Sequence, residues 1–125
     1  MIGYVTLGTN DFPRAAAFYD ELLSSIGARR IMESEGFIAW GNSPNGAALS
    51  IIKPHDGNPA TVGNGVMVAL ALSEPAKVDA LHAKALSLGG QDEGAPGFRF
   101  GNFYAAYFRD LDGNKLNAFC MAEST

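Results

Sequence analysis

A chain of 125 residues has the length of one ordinary domain, able to bury a core without cross-links, and its 47% hydrophobic and 18% charged residues exclude a disordered polymer. So few charges leave less polar surface than a monomer usually shows, and a second copy of the chain is the simplest cover for the excess, so a homodimer is expected. The net charge of −4, with basic residues scattered apart from the adjacent Arg29 and Arg30, excludes the clustered cations that nucleic acid requires.

In chain order, Gly3 to Gly8 alternates Tyr4 and Thr6 against Val5 and Leu7, the pattern of a half-buried strand. Asn10 or Asp11 can cap a following helix, Pro13 suits its first turn, and Ala15, Phe18, Leu22, Leu23 and Ile26 recur at helical spacing up to a stop at Gly27. Three short strands are expected at Arg29–Glu33, Phe37–Gly41 and Ala48–Lys53, parted by turn-rich segments. Pro54 to Asn64 then reads as a loop, after which the order repeats. A strand at Val66–Leu72 is followed by Ser73 as helix cap, Pro75 in the first turn, an apolar stripe of Val78, Leu81, Ala85 and Leu88, and a stop at Gly89–Gly90. Shifting the first half by 63 positions lays Tyr4 on Met67, Phe18 on Leu81, Tyr19 on His82 and Gly27 on Gly90.

A strand near Gln91–Phe100 and a hairpin complete the second unit. The hairpin strands, Tyr104–Arg109 and Lys115–Met121, flank the turn-forming Asp110-Leu111-Asp112-Gly113-Asn114. Alternation sets Leu116, Ala118 and Cys120 on an apolar face and Lys115, Asn117 and Phe119 on a mixed one. The expected fold is α+β, a single domain over residues 1–125 with internal βαβββ repeats at about 1–54 and 64–125. Each repeat gives a four-stranded sheet backed by a helix, and the two sheets are expected to face each other around a cavity.

With this order of elements, the opening YVTLGTNDFPRAAAFYDELLSSIGA and the ending YAAYFRDLDGNKLNAFC resemble the vicinal oxygen chelate superfamily, which includes glyoxalase I, bleomycin resistance proteins and extradiol dioxygenases. The resemblance implies a divalent metal in those members that are enzymes, held by His and Glu from four strands, at places that fall here on Tyr4, on Met67, near Ala48 to Ser50, and on Asn117. None of these is His or Glu. Divalent ions of this kind need neutral imidazole and anionic carboxylate, so no metal and no other cofactor is expected. His55, in the loop Pro54-His55-Asp56-Gly57, and His82, within the second helix, read as solvated and partly packed imidazoles. Asp110 to Gly113 lacks the ligand spacing of a calcium loop.

What remains is a pocket lining. Tyr4, Thr6, Ser50, Met67, Asn117 and Phe119, with Tyr104 or Tyr107 from the hairpin, are the expected ligand-binding residues, suited to a small, partly apolar molecule in the cavity between the sheets. Catalytic residues are not identified. The rival readings are a lyase, isomerase or dioxygenase with a displaced metal or tyrosine acid–base chemistry, and a structural domain with a filled core. A lone cysteine precludes an internal disulfide and fits a reducing cytoplasm, and the chain opens on a strand without a charged and apolar leader. The longest apolar run, Val66–Leu72, is far below the roughly 20 residues that span a bilayer, so no membrane contact is expected.

Overall fold

The computed structural model describes residues 1–122. It contains two compact units, Met1–Gly63 and Asn64 onward, and each carries the βαβββ order. The first unit runs β1 (Tyr4–Gly8), α1 (Phe12–Ser24), β2 (Arg29–Ser34), β3 (Phe37–Gly41) and β4 (Ala48–Ile52), in a sheet of order β1-β4-β3-β2. The second runs β5 (Val68–Ala71), α2 (Pro75–Ser87), β6 (Gln91–Phe100), β7 (Phe103–Arg109) and β8 (Lys115–Met121), in the order β5-β8-β7-β6. In each sheet the first and last strands of the unit pair in parallel and the others antiparallel, as a helical crossover followed by a meander requires.

The core of the first unit lies between sheet and helix. Leu7, Ile38, Trp40, Leu49 and Ile51 are buried on the side facing α1, which contributes Ala15, Phe18, Tyr19, Leu22 and Leu23. Asp11 caps α1 by accepting the Arg14 N–H at 3.1 Å, and Pro13 stands in its first turn, as its sequence spells out. In the second unit Ala106, Phe108, Leu116, Ala118 and Cys120 are buried together with Val78, Leu81 and Ala85 of α2. Burial raises the pKa of the Cys120 thiol.

Two sequence expectations are corrected. The strand expected at Val66–Leu72 is only Val68–Ala71, because a turn at Asn64–Gly65, with Gly65 at φ +96°, keeps the chain out of the ladder until Val68 meets Leu116. The cap of α2 is Glu74 rather than Ser73, and its side chain makes no capping bond. Gly89, at φ +100°, is the left-handed residue that ends this helix. Gly90 closes the helix end with its N–H on the Ala85 carbonyl at 2.9 Å, and it also serves close approach, since a Cβ there would lie 2.8 Å from the Arg109 carbonyl oxygen. The hairpin turn is as expected. Asp110 Oδ1 accepts the N–H groups of Asp112 and Asn114, both at 2.9 Å, while Asn114 Nδ2 donates to Oδ2, so the carboxylate is consumed in shaping the turn.

Candidate functional site

Strand alternation gives each sheet a second face, away from its helix. In the first unit this open face carries Tyr4 and Thr6 of β1, Ala48 and Ser50 of β4, Phe37, Ala39 and Gly41 of β3, and Arg29 of β2. The adjacent arginines therefore part company. Arg30 turns toward α1, where Nε and Nη2 donate to Asp20 at 2.9 and 2.7 Å and Nη1 reaches Glu33 at 2.8 Å. Those bonds hold the Asp20 carboxyl below the usual carboxylate range, against the opposing effect of burial, and Trp40 Nε1 adds a third donor at 2.9 Å. Arg29, opposite Gly41, looks out on the other side.

A hollow of about 710 Å³ lies on this open face. Tyr4, Ile31, Met32 and Phe37 form its apolar walls, Arg29, Asn42 and Ser43 its polar part, and Gly3, Gly27, Gly41 and Gly46 leave it room. A register shift between Arg30 and Met32 breaks the alternation of β2, so both Ile31 and Met32 line the same hollow. Tyr4, 63% exposed, meets Phe37 edge-on at 6.2 Å.

Ser50 lies on this face beneath the surface, at 0% exposure. Its hydroxyl donates to the Val5 carbonyl oxygen at 2.8 Å and is 2.9 Å from Thr6 Oγ1. Asn117 holds the corresponding place in the second unit, where its partner across the parallel pair is Ala69. It is 1% exposed, and Nδ2 donates to the Ala106 carbonyl oxygen at 3.2 Å. Tyr107 stands directly opposite Asn117, under the cations of Arg99 and Lys115 at 5.3 and 5.4 Å from its ring centre. Phe119 stacks on Phe103, which stacks on Phe100.

Of the eight predicted ligand-binding residues, Tyr4 lines the hollow and Thr6, Ser50, Met67, Tyr104, Tyr107, Asn117 and Phe119 do not. Tyr104 belongs to the α2 side of its sheet, donating its hydroxyl to Asp79 Oδ1 at 2.6 Å, a bond that raises its pKa. Of the two hairpin tyrosines it is thus Tyr107 that shares a face with Asn117. Met67 precedes β5 and has no place in the strand's alternation. The hollow also contains residues that the sequence reading missed, above all Arg29, Ile31, Met32 and the loop Asn42–Gly46.

The donor chemistry does not fit a divalent ion at the places implied by the resemblance. Tyr4, Met67, Ser50 and Asn117 offer neither imidazole nor carboxylate, and the hydroxyl of Ser50 and the amide of Asn117 already bond to their own sheets. Among the described residues no group of three or more His, Cys, Asp or Glu side chains is arranged to hold a metal. His82 is buried within the second unit, its Nε2 3.0 Å from Asp92 Oδ1. The Gly94 N–H, and after it His82, lower the Asp92 pKa.

The model of the Glyoxalase/Bleomycin resistance protein/Dioxygenase superfamily matches residues 1–118. The chain belongs to this superfamily. A glyoxalase/bleomycin resistance protein from Albidiferax ferrireducens is 37% identical, with a TM-score of 0.86 over 96% of this chain and 98% of that one. Two further solved structures share the fold at lower identity. A glyoxalase-related enzyme from Fulvimarina pelagi is 20% identical (TM-score 0.75, covering 96% and 87% of the two chains). A lactoylglutathione lyase from Agrobacterium tumefaciens is 19% identical (TM-score 0.70, covering 96% and 92%). No curated protein matches. Among the described residues of this superfamily member, no helix is long and apolar enough to cross a membrane.

Proposed function

We propose that this glyoxalase/bleomycin resistance family protein binds a small, partly apolar organic molecule on the open face of its first sheet, without a divalent metal. The observation that carries the reading is the hollow walled by Tyr4, Ile31, Met32 and Phe37, whose 710 Å³ falls within the roughly 300–1,000 Å³ of ordinary ligand sites. The superfamily name covers catalysts and resistance proteins alike, so membership does not choose between turnover and binding. The donor set favours binding, because the positions implied for metal ligands are filled by a phenol, a thioether, a hydroxyl and an amide.

A homodimer in a reducing cytoplasm completes the proposal. Its support is the large exposed apolar side chains, among them Ile31 and Met32 in the first unit and Phe100 and Met121 in the second, together with the single buried thiol. Elemental analysis and sedimentation of one preparation, purified without chelator, test both parts. No stoichiometric divalent metal and a particle of twice 13.2 kDa are expected. One tightly bound metal equivalent overturns the metal-free reading, and a particle of 13.2 kDa overturns the dimer.

A further inference from the structure

Arg29 is the one charged side chain in the lining of the hollow. Its neighbour Arg30 is spent on Asp20 and Glu33, whereas no hydrogen bond or ion pair ties the Arg29 side chain to another described residue. The strand itself separates their fates. Arg30 pairs with Trp40 on the side of the helix, and Arg29 pairs with Gly41, which has no side chain to cover it. No acidic residue lines the hollow, although acidic residues outnumber basic ones in the chain, 13 to 9. An uncommitted guanidinium thus stands beside an aromatic and thioether surface, with Asn42 and Ser43 adding polar groups at the rim.

We infer that the ligand of this hollow is an organic anion, a flat apolar body bearing a carboxylate, with Arg29 as the group that receives the carboxylate. The inference rests on the reading of the hollow as the ligand site. A planar fork of N–H donors matches a carboxylate in two parallel bonds, and the charge-assisted pair gains strength where apolar walls displace water. The apolar body lies against Tyr4, Phe37 and Met32.

The test is an NMR amide-shift titration of the full chain with 2-naphthoate and with its neutral isostere 2-naphthamide. The acid is expected to shift the amides of Arg29–Met32 and Gly41–Gly46 and to bind roughly tenfold tighter than the amide, the preference shrinking as salt is added. Arg29→Gln is expected to bring the two probes to equal affinity, and Arg29→Lys to keep a reduced preference. Both substitutions lie on an exposed side chain without described partners, so a folded spectrum is expected to persist. Equal binding of acid and amide by the unmodified protein overturns the anion inference and leaves the site standing. An acid preference that survives Arg29→Gln overturns the role of Arg29. If neither probe shifts these amides at millimolar concentration, both the inference and the reading beneath it fall.

Discussion

Asp20 ties together groups from three elements of the first unit, accepting from the Arg30 guanidinium of β2 and from the indole of Trp40 in β3 while standing on α1. Trp40 is 2% exposed, so removing the carboxylate strands a buried N–H and leaves Arg30 with Glu33 but without its tie to α1. Asp20→Ala is therefore expected to lower stability by roughly 1–3 kcal/mol, read as a shift of the urea midpoint. The same geometry fixes a pH response. Asp20 and Asp92 both have folded-state pKa values below the usual carboxylate value, so the unfolded chain takes up those protons first as acid is added. Their contribution is complete above about pH 4 and is lost as pH falls through the depressed folded-state values. A melting-temperature series from neutral to strongly acidic pH is expected to stay flat near neutrality and to fall below about pH 4, with a shallower fall in Asp20→Asn.

The two helices are built to one plan with unequal care at their starts. Asp11 bonds into α1, while Glu74 holds the extended capping conformation at α2 but makes no capping bond with its side chain. Asp11→Ala is expected to cost about 1 kcal/mol and Glu74→Asp to gain about 0.5–1 kcal/mol, both measurable by thermal denaturation, and equal effects of either sign would contradict the asymmetry. Both helices are legible in the sequence because proline, helical spacing and glycine agree on their bounds. The strands are less so. The apolar run Val66–Leu72 exceeds the ladder that uses it, since hydrophobicity marks what can be buried and not where a partner strand begins. Tyr104 and Tyr107 lie three apart, and alternation says only that they take opposite faces. The bond to Asp79 decides which.

For the whole molecule, the repeat and the family could be read from the order of elements, whereas the hollow could be read only at Tyr4. Its remaining walls come from a strand whose alternation is broken between Arg30 and Met32, and from glycines that leave no pattern because they bring no side chain. Trp40, near Tyr19 in the helix-side core of the first unit, has a consequence for any measurement on this chain. It is the sole tryptophan in the sequence, so tryptophan emission, excited selectively over tyrosine, is confined to one of the two compact units while peptide circular dichroism reports both. The indole faces α1 whereas the hollow opens on the other side of the sheet, so it follows melting of the first core more directly than ligand occupancy. If the chain is one cooperative domain, emission and ellipticity trace a single superimposable urea transition. Separate midpoints would show two units melting one after the other, with the second unit dark to the tryptophan lamp.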